Sequence, residues 1–148
     1  MADIKKELVE MLNKALELEH AARIQYLAHA ELINGLGAEP IVARLKEIAG
    51  DEEKHEEKFR NLIGSYLGGE PTMGLAETHR ATDVKKILQV NLKGEMEAVD
   101  TYAAILKKLN ANRDKLPYEY MKLEHDVRHV LMEEQEHISE LKLLLAKT

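Results

Sequence analysis

A chain of 148 residues is the size of one ordinary domain, and a formal charge of −6 leaves it without the basic face that displaces counterions from nucleic acid. Hydrophobic residues make up 45% and charged residues 32%, with Phe once and Trp never, so the interior has to be aliphatic, which favours helices over strands. Cysteine is absent, which excludes disulfides, zinc-thiolate sites and thiol catalysis and leaves Glu, Asp and His to hold any metal.

Four helical runs are predicted, at about residues 4 to 34, 40 to 67, 83 to 110 and 117 to 147. The breaks are "NGLGAEP", in which Pro40 fits the first turn of the second helix, then "GGEPTMGLAETHRATD", then "NANRDKLP". The first and third breaks are short enough to join antiparallel neighbours. The middle one is long enough to run the length of a bundle, so the expected fold is all-α: an antiparallel four-helix bundle with one long crossover between helices 2 and 3, in one domain over residues 1–148. No apolar run reaches the length needed to span a bilayer, and no opening stretch has the pattern of a signal peptide, so a soluble, cytoplasmic chain is expected.

Alternating steps of three and four trace the inward stripe of each run. The first gives Leu8, Leu12, Ala15, Glu19, Ala22, Tyr26, Ala30 and Ile33. The second gives Ile41, Leu45, Ile48, Glu52, His55, Phe59, Leu62 and Tyr66. The third gives Val84, Leu88, Asn91, Glu95, Ala98, Tyr102, Ile105 and Leu109, and the fourth Leu123, Val127, Val130, Glu134, His137, Leu141 and Leu144. A glutamate interrupts every stripe near its middle. The halves also repeat: Glu19 precedes Tyr26 by seven as Glu95 precedes Tyr102, and Glu52 precedes His55 by three as Glu134 precedes His137.

A Glu-x-x-His pair means little alone, because 21 Glu and seven His in a chain of this length give about one by chance. The third such pair, Glu17 with His20, lies off the apolar stripe and is expected to face water. The two on the stripe are different when taken with Glu19 and Glu95. Four carboxylates and two imidazoles at mid-height carry about −4, and desolvating one carboxylate is of order 20 kcal/mol in the ideal limit and still several after relaxation. No inward Lys or Arg sits at that level, so two divalent cations are the simplest counter-charge; protonated glutamates in a metal-free structural bundle are the alternative, at the cost of a fragile core. An oxygen-rich set with one nitrogen per ion suits iron first and manganese, or a mixed pair, second. Zinc is normally offered more His or Cys, and calcium takes no imidazole.

Other groups read less sharply. Tyr26 and Tyr102 either pack as ordinary core aromatics or bring a hydroxyl to a ligating carboxylate on a neighbouring helix, and Asn91 is in a similar position. His125 and His129 have chelating spacing but read as solvated histidines. Asp51, Glu53, Glu56 and Glu57 lie off the stripe and read as a solvated face.

With these residues the chain resembles the ferritin-like diiron proteins, whose motif is a Glu on each of two helices and Glu-x-x-His on each of the other two. The resemblance runs from about residue 4 to 147, and "LNKALELEHAARIQYLAHAEL" is similar to the first helix of bacterioferritins. It implies that Glu19 and His55 cap one iron, Glu95 and His137 the other, and Glu52 and Glu134 bridge both. It also implies oxidation of bound Fe(II) by O2 or hydrogen peroxide, a ferroxidase- or peroxidase-like activity, with an unidentified electron donor. Bacterioferritins carry a haem-ligating Met directly after the second-helix bridging Glu; Glu53 stands there, so haem is not expected. The fifth helix that ferritin subunits place at their symmetry axes is not seen after residue 147, which favours a dimer over a closed storage shell as the homo-oligomer. Rubrerythrins are the other similar group, but their added third-helix Glu is replaced by Ala98 and their rubredoxin-like cysteines are missing.

Overall fold

The computed structural model describes residues 3–148. Four long helices, α1 (Ile4–Ala30), α2 (Ala38–Asn61), α3 (Val84–Ala111) and α4 (Tyr120–Ala146), form the expected bundle, with no strand among the described residues. Asp3 caps α1 by accepting from the Lys5 amide at 3.0 Å, and Asp83 caps α3 by accepting from the Lys86 amide at 3.0 Å. The helix α1 stops four residues short of its predicted end, in a turn where Gly35 and Gly37 both take positive φ. Pro40 sits in the first turn of α2, where its missing N–H leaves no helical bond unmade. Among the described residues no helix is long and apolar enough to cross a membrane.

The two hairpins, α1 on α2 and α3 on α4, are the main pairings, joined by α1 against α3 and α2 against α4. Their inner faces build two apolar cores rather than one. Leu8, Leu12, Phe59, Ile105, Leu123 and Val127 anchor the end nearest the α3–α4 turn. Leu45, Ile48, Ile87, Leu88 and Leu141 anchor the other. The four glutamates lie in sequence between these clusters, so the polar groups form a layer sealed by hydrocarbon above and below.

Two departures from the predicted stripes have local causes. A π-helical turn, Leu62–Tyr66, extends α2 and closes with the Leu67 amide on the Leu62 carbonyl at 3.0 Å. The extra residue per turn rotates the register, so Ile63 and Leu67 are buried and Tyr66, predicted inward, is exposed. The second departure is the crossover, which lies along α1. Asn13 donates to the Glu70 carbonyl and accepts from the Thr72 amide, and Glu17 accepts from the Thr72 hydroxyl at 2.7 Å. His20 Nδ1 lies 2.7 Å from the Gly74 carbonyl. Glu17 and His20 therefore do not face bulk water as their position off the stripe suggested; they bind the crossover. Gly69 allows this close approach, since a Cβ there would lie 2.6 Å from Val9 Cγ2.

Candidate metal centre

Each helix contributes to the polar layer from its own midpoint. Glu19, Glu52, His55, Glu95, Glu134 and His137, predicted from separate stripes, are all buried and converge there. They form two sets of four donors, Glu19, Glu52, His55 and Glu134 on one side and Glu52, Glu95, Glu134 and His137 on the other, each with its donor atoms within 4.8 Å of one another. Glu52 and Glu134 belong to both sets. The centre thus carries the twofold repeat of the sequence into space.

The histidines are oriented from outside. His55 Nε2 lies 2.8 Å from Glu133 Oε2, and His137 Nε2 lies 2.9 Å from Asp51 Oδ2. With Nε2–H donating to these half-exposed carboxylates, each Nδ1 turns its lone pair into the layer. There His55 Nδ1 meets Glu19 Oε1 at 3.2 Å, and His137 Nδ1 meets Glu95 Oε2 at 3.2 Å and Glu134 Oε1 at 3.1 Å. A lone pair facing carboxylates is unfavourable until a cation, proton or metal, stands between them.

Stripe periodicity misses both outer carboxylates: it puts Asp51 on a solvated face and does not single out Glu133. Their signal is the repeat itself, since an acidic residue immediately precedes Glu52 and Glu134 alike. Glu56 is a further correction: it is buried, and it accepts from Arg23 at 2.5 Å and Arg60 at 3.4 Å, with His20 Nε2 at 3.5 Å. Glu53 and Glu57 do face solvent.

The tyrosines reach across the bundle. Tyr26 of α1 donates to Glu95 Oε1 at 2.8 Å, and Tyr102 of α3 donates to Glu19 Oε1 at 2.9 Å. Asn91 does not join them. It donates to the Ile87 carbonyl, accepts from Gln25 and bonds His29, whose Nε2 lies 3.0 Å from the His79 carbonyl; the His79 amide in turn donates to Gln25. This closed network pins the crossover to α1 and α3, and burial holds the His29 pKa below its ordinary value.

Electrostatics make the layer unstable on its own. Burial, then the charges of neighbouring glutamates, push the Glu52 and Glu134 carboxyls well above the ordinary range. Burial also raises Glu95, against the opposing pull of His137. Burial alone would lower the histidines, but Glu95, Glu52 and Asp51 outweigh it to bring His137 to about 9, and Glu19, Glu134 and Glu52 likewise raise His55. Three buried oxygens, Glu19 Oε2, Glu52 Oε1 and Glu134 Oε1, have no hydrogen-bond partner. None of the four carboxylates is paired with a lysine or arginine among the described residues. Orphaned carboxyl oxygens on both donor sets, with imidazole nitrogens turned inward, fit a pair of divalent cations.

A cavity of about 50 Å³ opens onto this layer between α1 and α3, lined by Ala22, Tyr26, Gly94, Ala98 and Tyr102 among others, with Glu77, His79 and Glu97 also on its wall.

Comparison with known proteins agrees with this architecture. A bacterial ferritin from Neisseria meningitidis serogroup B is 32% identical over 114 residues, 77% of this chain and 73% of that one. The crystal structure of a ferritin-like, diiron-carboxylate protein from Bacillus anthracis superposes with a TM-score of 0.88 at 27% identity, covering 98% of this chain and 99% of that chain. A Rhodobacter capsulatus bacterioferritin, described with a metal-free dinuclear site and a haem iron, shares the fold with a TM-score of 0.85 at 22% identity, over 98% of this chain and 86% of that one. The pattern of the ferritin-like domain matches residues 9–148, and the chain belongs to the ferritin-like family, whose bacterioferritin-like, diiron-carboxylate members it resembles in sequence and fold.

Proposed function

We propose that the chain is a diiron oxidoreductase that takes up two Fe(II) in its core and oxidises them with O2 or hydrogen peroxide. The observation that carries this reading is the sharing of Glu52 and Glu134 between two four-donor sets that contain orphaned carboxylate oxygens. Iron held by the six side chains would supply the one-electron redox chemistry. Glu19 with His55 would hold one ion and Glu95 with His137 the other, and Glu52 and Glu134, common to both donor sets, would serve both.

The remaining residues keep this arrangement fixed. Tyr26 and Tyr102 hold Glu95 and Glu19 in place by hydrogen bonds from the opposite hairpin. Asp51 and Glu133 hold the imidazole tautomers and link each ring to the surface, a path for protons. The cavity beside the layer is of a size for a small oxidant. Manganese, alone or with iron, fits the same donors as a second choice. Haem is not expected, because Glu53 stands where bacterioferritins carry the haem-ligating Met. A cytoplasmic homo-oligomer, with a dimer ahead of a shell, completes the proposal, and an unidentified donor returns the electrons.

An anaerobic Fe(II) titration of metal-free protein, followed by O2 or peroxide, tests it. Saturation at two irons per chain with rapid oxidation is expected, with both lost in Glu52→Ala and Glu134→Ala. A Glu52→Ala protein that still bound and oxidised two irons would sink the assignment. The bacterial ferritin relative favours iron storage in a shell as a second reading, and light scattering that finds a dimer removes it.

A further inference from the structure

We propose that the outer face of α4 carries a second, soft-metal site for Cu(I), built on His125 and His129 and flanked by the thioethers of Met121 and Met132. The four residues fall at spacings of four, four and three, so they form a single stripe along α4, on the side away from Leu123, Val127, Val130, Glu134 and His137. His125 and His129 rise about 6 Å apart along the helix axis, and their ring centroids stand 4.1 Å apart with planes 30° from parallel. A single ion about 2 Å from a nitrogen of each ring spans that interval after a small rotation of the rings.

A second observation separates this pair from two freely solvated imidazoles. Asp126 is buried, and its Oδ1 lies 3.0 Å from His125 Nδ1, while Lys122 Nζ lies 3.2 Å from Oδ2. The anchored carboxylate accepts a hydrogen bond from His125 Nδ1–H and leaves the Nε2 lone pair directed outward, the carboxylate–histidine arrangement that prepares an imidazole for a metal. The flanking residues are also unusual. Methionine is ordinarily buried, yet Met121 is 77% exposed and Met132 47% exposed, one on either side of the pair. Their side chains have three rotatable bonds and are largely or half exposed, so either sulfur can swing to an ion held by the histidines.

The donor set chooses the metal. Imidazole with thioether is a soft to borderline combination that suits Cu(I), whereas the core layer offers carboxylates to harder ions. The chain therefore sorts two classes of metal onto opposite faces of one helix. This site stands whether or not the core is a diiron centre.

The test is an anaerobic Cu(I) titration of the metal-free protein against a chromophoric Cu(I) chelator. A single Cu(I) per chain is expected, and Glu52→Gln/Glu134→Gln should leave it in place. His125→Asn/His129→Asn should weaken it by roughly tenfold or more, and Met121→Leu/Met132→Leu should weaken Cu(I) while leaving Cu(II) binding nearly unchanged. Circular dichroism should show the histidine and methionine variants helical, because Met121, His125, His129 and Met132 are off the core. The proposal is overturned if the wild type binds no Cu(I), if the histidine variant binds it equally well, or if the core variant abolishes it.

Discussion

The hydroxyl of Tyr26, on α1, donates to Glu95 Oε1 on α3 at 2.8 Å, and the reciprocal bond runs from Tyr102 to Glu19 at 2.9 Å. Each half of the repeat thus steadies the carboxylate of the other. Tyr26→Phe removes the donor and leaves a buried acceptor unpaired, which should destabilise the metal-free bundle by about 1–3 kcal/mol. Tyr102→Phe should do the same through Glu19. Urea denaturation of both variants checks this, and no loss in either would mean that the two bonds hold nothing in place.

The outer carboxylates make a separate prediction. Asp51 fixes His137 and Glu133 fixes His55, so Asp51→Asn and Glu133→Gln should each weaken metal binding by roughly 10- to 100-fold while leaving the helices intact. Competition titration with Mn(II), which avoids oxidation, reads the affinity directly. Equal affinity in wild type and both variants would show the tautomers to be set by something else.

Protonation and stability are linked in an unusual direction. Glu52 and Glu134 have raised pKa values, so above the ordinary carboxylate range the folded chain holds protons that the unfolded chain has released, and stability falls as pH rises. His137 is raised to about 9, so its contribution is complete below the ordinary histidine value and is lost as pH rises through about 9. The two effects have the same sign. Metal-free protein should lose stability steadily from about pH 5 to pH 9. Denaturation at intervals across that range measures it. Glu52→Gln/Glu134→Gln should flatten the curve, because an amide has no proton to lose.

The crossover has its own test. A methyl group added at Gly69 would lie 2.6 Å from Val9 Cγ2, and Val9 is branched at Cβ and cannot easily turn away. Gly69→Ala should destabilise by about 1–3 kcal/mol, and adding Val9→Ala should recover most of that loss. Thermal melts of the single and double variants decide it. Additive losses would place the strain elsewhere.

Much of this protein was determined by its sequence alone. Helix number and the long crossover follow from hydrophobic periodicity and Gly and Pro punctuation, and the glutamates and Glu-x-x-His pairs at the midpoints of the apolar stripes carry the resemblance to the family. Periodicity reports which side of a helix is inward, so the six groups that meet in the polar layer can be named before any contact is known. It carries no information about what covers the other side. Periodicity therefore puts Glu17 and His20 in water although the crossover lies over them, and gives Glu56 to a solvated face although two arginines enclose it. Periodicity also assumes an unbroken helix, and the π turn after Asn61 moves Tyr66 outward by adding a residue to one turn. The reciprocal bonds of Tyr26 and Tyr102, and the reach of Asp51 and Glu133 to each other's histidine helix, depend on how two hairpins pack. Tertiary structure alone decided those, because partners 69 to 86 residues apart have no local signature.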